Sequence, residues 1–319
     1  MWENRKGTDT VILSVSRRTD IPNYYCDWFF NRIKEGYLYV RNPMNAHQIS
    51  KINLSPEVVD CIVFWTKNPE PMLERLDELK DYVFYFQFTL TGYGGDVEPH
   101  VPHKKARMLP VFRRLSEKIG KERVIWRYDP ILFTERYSQG YHLKAFGQIA
   151  EALRGFTEQC VISFVDLYAK NRAGMKALHP FFPEERELLK FAGELARMAG
   201  ENGMKVATCA EALDLSSCGI GHHSCMDQAL IERLTGCRIR GAKDKNQRKE
   251  CGCMESVEVG TYNTCKNGCV YCYANGSPEA VARSCQMYDV NAPLLCGKIT
   301  GDDQITERRV KSLRERCIK

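Results

Sequence analysis

The chain of 319 residues contains no apolar run of the roughly 18 residues that a membrane-crossing helix needs, so no membrane span is expected. Its first ten residues, MWENRKGTDT, lack the apolar stretch of a secretory signal. No internal repeat of fixed spacing and no low-complexity tract occurs. With 44% hydrophobic and 27% charged residues, the composition excludes disorder, collagen and coiled coil. A net charge of +6 is small for this length and points to no polyanionic partner by itself. One stretch departs from that balance: residues 238–249 (RIRGAKDKNQRK) carry six basic side chains against one acid. It reads as a solvated loop, or as a grip on a phosphate-bearing substrate or nucleic acid. A cytoplasmic protein with a core that needs no disulfide staples is the expectation.

Cysteine is what the chain has in excess. Nine of its 15 cysteines fall in the 64 residues from Cys209 to Cys272. An odd count, no signal and tight local spacing argue for metal rather than a disulfide framework. Cys26, Cys61, Cys160, Cys237, Cys285, Cys296 and Cys317 lie outside any ligand spacing and read as small buried hydrophobes or inert thiols.

Up to residue 208 the pattern alternates strand and helix. Apolar runs at Val11–Ser16, Cys61–Thr66, Val83–Leu90, Val124–Tyr128, Cys160–Leu167 and Lys205–Cys209 are nearly continuous, as in parallel strands covered on both faces. Helical stretches lie between them at Pro22–Glu35, Pro71–Lys80, Lys105–Ile119, Tyr141–Leu153 and Pro183–Asn202. The fold class is therefore α/β, with six βα units forming a parallel sheet, open or curled into a partial or full TIM-like barrel. Residues 1–10 form a polar extension, 11–208 the βα units, 209–300 a Cys-rich irregular segment, and 301–319 a charged helix or frayed tail. Polar residues cluster just after the strands, where parallel barrels build their sites. Among them, Arg17, Arg18 and Asp20 are candidates to bind substrate, and Lys67, Arg127, Asp129 and Asp166 are candidates for catalysis. Lys67 would serve as a general acid or Schiff-base lysine if burial lowered its pKa, and otherwise reads as a solvated lysine. Arg127 and Asp129 could instead pair with each other, and Asp166 could be paired.

The sharpest feature is Cys265-x3-Cys269-x2-Cys272, preceded by the strand-like SVEVGTY and followed by the helix-like Pro278–Cys285. Gly268 permits the tight turn. Three thiolates can hold three corners of a cubic cluster and leave one iron open to a substrate or cofactor. Ferredoxin spacing is not matched, and no clean second zinc knuckle follows.

With Tyr271 before the last cysteine, this loop resembles the signature of radical S-adenosylmethionine enzymes. That resemblance implies a 4Fe–4S cluster on Cys265, Cys269 and Cys272, S-adenosylmethionine as cofactor, and Tyr271 against the adenosine, with Tyr273 and Asn275 also assigned to cofactor binding. It further implies reductive cleavage of the cofactor to a 5′-deoxyadenosyl radical and a flavodoxin- or ferredoxin-like electron donor. In such enzymes the loop follows the first barrel strand; here it comes last, as in a circular permutation. Thr66-Lys67-Asn68 and Arg127-Tyr128-Asp129-Pro130 resemble strand ends of the spore photoproduct lyase group. No Gly-Gly-Glu strand motif for the methionine amino group is present. Over SRRTDIP, FWTKNP, WRYDPILFTE, SFVDLY and DKNQRKECGCMES through CYAN, the chain also resembles an uncharacterised bacterial and archaeal family of unknown function with such a C-terminal cysteine cluster.

Cys209, Cys225, Cys251 and Cys253 remain. They could hold a second iron–sulfur cluster, a structural zinc ion, or no metal, with Cys218, His222 or His223 as substitute ligands. Two other functions compete with the radical enzyme. One is a zinc- or cluster-stabilised nucleic-acid-binding protein without catalysis; the other is a barrel lyase or hydrolase working through Lys67 or Asp166.

Overall fold

The computed structural model describes residues 11–167, 170–308 and 312–317; the polar extension 1–10 lies outside them. The strands in chain order are β1 (Ile12–Val15), β2 (Tyr37–Arg41), β3 (Gln48–Asn53), β4 (Cys61–Thr66), β5 (Phe84–Thr89), β6 (Val124–Ile131), β7 (Gln159–Phe164), β8 (Lys205–Cys209), β9 (Gly221–His223), β10 (Cys237–Ile239), β11 (Val257–Glu258), β12 (Gln304–Glu307) and β13 (Arg314–Cys317). The helices are α1 (Ile21–Tyr24), α2 (Cys26–Glu35), α3 (Leu109–Ile119), α4 (Gln139–Ala152), α5 (Arg172–Ala177), α6 (Glu185–Glu201), α7 (Gln228–Thr235) and α8 (Pro278–Cys285). Glu70–Leu79, expected to be helical, is wound as 3-10, and one π-wound turn, Lys104–Met108, leads into α3.

Eight strands form one parallel sheet in the order β11-β1-β4-β5-β6-β7-β8-β9. The six expected strands are its consecutive interior. The strand before the cysteine loop flanks β1, so the last βα unit in sequence sits beside the first in space. The edge strands β9 and β11 are not joined by a ladder among the described residues.

Alternation along each strand sends side chains to two separate cores. Leu13, Phe64, Phe86, Trp126 and Ile162 pack outward against helix residues such as Trp28, Phe112, Phe146 and Leu195. Ile12, Val63, Tyr85, Ile125 and Val161 point to the other face, where Met226, Ile231, Ile239 and Met254 cover them. The Cys-rich segment, with its helix α7, thus covers the inner face. This double coverage is why the strands read as unbroken apolar runs.

Three expectations are corrected. The strand expected over Ser256–Tyr262 is confined to Val257–Glu258, and two residues on the backbone at Gly260 passes against Ser16, where a Cβ would lie 1.8 Å from Ser16 Oγ. Residues 304–307 and 314–317, expected as a helix or frayed tail, are strands: β12 extends the β2–β3 hairpin and β13 pairs with β10. Cys237, read as an inert thiol, is disulfide-bonded.

Candidate functional site

A cavity of about 710 Å³ opens at the carboxyl ends of the strands. Ser16 and Arg17 after β1, Trp65 and Lys67 at β4, Thr89 at β5, Arg127 and Asp129 at β6, Ser163 at β7 and Cys209 at β8 all line it. The cysteine loop adds Tyr271, Cys272 and Tyr273, and the inner segment adds Cys225, Cys251 and Cys253, with Asp166 also on the wall. Arg18, Asp20, Cys265, Cys269 and Asn275 do not line it. A larger space, about 1240 Å³, lies at the strands' amino ends and holds none of these residues.

The loop is pinned from several directions. Asp20 is buried and caps α1 by accepting from the Asn23 amide at 3.2 Å. It also accepts from Thr66 Oγ1 at 2.6 Å, the Lys67 amide at 2.9 Å and Asn267 Nδ2 at 3.0 Å. With both oxygens taken, Asp20 ties the β1 and β4 ends to the loop and is not placed to meet a substrate. Tyr24 donates to Asn267 Oδ1 at 2.9 Å and Tyr25 to the Thr264 carbonyl at 2.6 Å. Asn275 Nδ2 donates to the Cys265 carbonyl at 2.8 Å. Gly268 has φ +67 and lies so close to Pro99 and His100 that an added Cβ would meet them at 3.0 and 3.1 Å, so glycine is required there.

Below Tyr271 lies a charge network that sequence reading missed. Glu98, 1% exposed, receives Lys67 Nζ at 2.7 Å, Lys104 Nζ at 2.5 Å and Thr91 Oγ1 at 3.0 Å, together with the Tyr271 hydroxyl. Lys67 Nζ also donates to Tyr271 Oη at 2.8 Å. Burial alone would raise the Glu98 carboxyl, but Lys67 and Lys104 outweigh it and hold it down at about 2. Burial likewise works against the Lys67 ammonium, and Glu98 overcomes it, leaving its pKa raised. The condition for a general-acid or Schiff-base role, a pKa lowered by burial, is not met: Lys67 is half-buried, and Glu98 holds its pKa up. No local motif marks Glu98; its role depends on partners 31 and 173 positions away.

Three other cavity cations are also matched. Arg127 ion-pairs with Asp129, donates to Gln87 Oε1 at 3.2 Å and Cys225 Sγ at 2.9 Å, and lies over the Trp65 ring. Arg17 meets Glu258 at 3.3 Å and Ser256 Oγ at 3.0 Å. Arg248, from the basic run, meets Asp166 at 2.6 Å, and both side chains are half-exposed. Arg18 is spent on the Gly260 carbonyl and the Tyr262 ring. The Tyr273 hydroxyl donates to the Arg17 carbonyl at 3.1 Å.

The donor set suits a thiophilic cluster in kind: three thiols within eight residues, in electrostatic reach of one another. Burial pushes the Cys265 thiol up to about 12, so ligation there would have to release protons. Among the described residues, no three Cys, His, Asp or Glu side chains surround a single point where one ion could bind. A cubane differs from an ion in holding its thiolates at separate corners, and the loop's three donors match that demand in number and type.

No curated protein and no solved structure matches the chain. A family model matches residues 12–274, from the start of β1 to the residue beyond Tyr273, and so spans every residue that lines the cavity. The chain belongs to the family described as Domain of unknown function (DUF1848).

Proposed function

We propose that the protein is a cytoplasmic radical S-adenosylmethionine enzyme whose parallel strands curl as a permuted partial barrel. The observation that carries the reading is that Tyr271 and Cys272 of the three-cysteine loop open onto the same cavity as Lys67, Arg127 and Asp129. Cys265, Cys269 and Cys272 would hold a 4Fe–4S cluster. The chemistry such a cluster supplies, with S-adenosylmethionine and an electron from a flavodoxin- or ferredoxin-like donor, is one-electron cleavage to a hydrogen-abstracting radical.

The chain's own residues arrange the surroundings. Glu98 and Lys67 fix the Tyr271 phenol, so its ring forms a rigid wall of the cavity. Asp129 and Gln87 hold the Arg127 guanidinium at a fixed angle across the floor. Arg17 and half-exposed Arg248 can receive an acidic group of the substrate by exchanging it for Glu258 or Asp166. The rival reading, a nucleic-acid grip by residues 238–249, has less to draw on: Arg248 turns to Asp166 and Lys243 donates to the Lys249 carbonyl at 2.8 Å.

The test is anaerobic reconstitution with iron and sulfide, then reduction by dithionite in the presence of S-adenosylmethionine. The expected product is 5′-deoxyadenosine, with iron content and product both falling in Cys272→Ala. No product together with unchanged iron in that variant sinks the proposal.

A further inference from the structure

Four cysteines outside the loop meet on the cavity wall. Cys209 ends β8, Cys225 follows β9, and Cys251 and Cys253 lie two positions apart in the segment covering the inner face. Cys209 Sγ lies 3.1 Å from Cys225 Sγ, and Cys253 is in side-chain contact with both Cys225 and Cys251. Cys225, Cys251 and Cys253 are buried, and Cys209 is half-buried. Two N–H groups are aimed at their sulfurs: Arg127 at Cys225 Sγ, 2.9 Å, and the Met226 amide at Cys253 Sγ, 3.4 Å.

Thiols that merely fill space look different in the same molecule. Cys61 and Cys160 are each buried within a strand, their sulfurs turned to the carbonyl of the next residue. A neutral thiol is a weak acceptor, so N–H donors directed at sulfur favour a thiolate. Such donors also orient and steady thiolates that ligate metal. The Arg127 guanidinium offsets part of the negative charge that four thiolates bring together.

We propose that Cys209, Cys225, Cys251 and Cys253 form a second, four-thiolate metal centre in the cavity wall, taking a zinc ion or an iron–sulfur cluster. As thiols they are strung in contact rather than set around one point, and metal uptake exchanges their protons for the shared centre. The centre would tie β8 and the exit of β9 to the covering segment. It shares no ligand with the loop and stands whether or not the loop carries a cluster.

The test uses the full chain with Cys265→Ala, Cys269→Ala and Cys272→Ala, purified anaerobically and stripped by chelator. One portion receives cobalt(II) alone, the other iron with sulfide. One equivalent of cobalt with a thiolate-to-cobalt charge-transfer band, displaced by zinc, identifies an ion site; iron and sulfide retained in equal amounts identify a cluster. Adding Cys225→Ser and Cys253→Ser abolishes loading, whereas Cys218→Ser with Cys285→Ser leaves it. Failure of both arms, or loading that survives Cys225→Ser with Cys253→Ser, overturns the proposal. Should the multiple variant not fold, alkylation mapping on the unsubstituted protein decides. In mild denaturant, where buried thiols become reachable, metal-loaded protein shields these four cysteines and chelated protein does not. Equal labelling in the two states, or a Cys209–Cys225 disulfide in the loaded protein, overturns it.

Discussion

The Tyr271 hydroxyl donates to Glu98, a carboxylate 173 positions earlier in the chain. Through that bond the aromatic residue of the cysteine loop rests on a buried anion held by two lysines. Removing one member of a buried ion network strands the others, at a cost of about 3–5 kcal/mol. Glu98→Gln is therefore expected to lower the unfolding free energy by about that amount. Tyr271→Phe, which forfeits hydrogen bonds and keeps the ring, should lose about 1–3 kcal/mol. Urea unfolding of the two variants checks the order; equal losses would contradict the network.

The exposed ion pair should behave otherwise. Asp166 and Arg248 meet at 2.6 Å, but their side chains are 52% and 42% exposed. Pairs in that setting contribute about 0–1 kcal/mol. Asp166→Asn should leave the urea midpoint nearly unchanged at ordinary salt, and a loss as large as that of Glu98→Gln would show that Asp166 braces the cavity mouth.

A pH dependence follows from His142, fully buried between Tyr128 Oη at 2.9 Å and the Leu132 carbonyl at 3.0 Å. Burial lowers its pKa to about 4. As pH falls below the ordinary histidine value of about 6.5, the unfolded chain takes up a proton that the folded chain refuses. Stability is then lost between about 6.5 and 4, by at most about 3 kcal/mol, and is flat above that window. His223, lowered to about 3 by burial, acts in the same direction. His142→Gln should reduce the slope of unfolding free energy against pH without abolishing it. An unchanged slope would refute the assignment.

Gly260 offers a steric test. A Cβ there would meet Ser16 Oγ at 1.8 Å and Ser16 Cβ at 2.7 Å. Gly260→Ala should cost about 1–3 kcal/mol or more through overpacking. Ser16→Gly added to it should recover much of the loss, as measured by thermal unfolding; no recovery would place the strain elsewhere.

Much of the fold was legible because strands covered on both faces leave unbroken apolar runs, as in Cys61–Thr66 and Phe84–Thr89. Gln48–Asn53 escaped notice because it lies outside the main sheet and carries polar residues through its length, and Tyr37–Arg41 because it is short and runs straight on from α2. Gly221–His223 is too short to carry a pattern. At the site, Arg17, Lys67, Arg127 and Asp129 could be named because they lie toward or just past the carboxyl ends of strands, which places them on one cavity. Their partners were hidden by distance. Glu98 and Glu258 have ordinary neighbours in sequence, and only the folded chain sets them against Lys67 and Arg17. The charge state of Lys67 likewise depends on a carboxylate the local sequence does not reveal.

The pairing of β11 with β1 has a bearing on biosynthesis. A ribosome releases the first βα unit long before residue 257 exists, so the growing polypeptide carries an uncapped strand edge on β1 until β11 emerges. The loop cysteines arrive later still. Assembly of any inorganic centre there cannot begin before Cys272 is made and β11 can close onto β1.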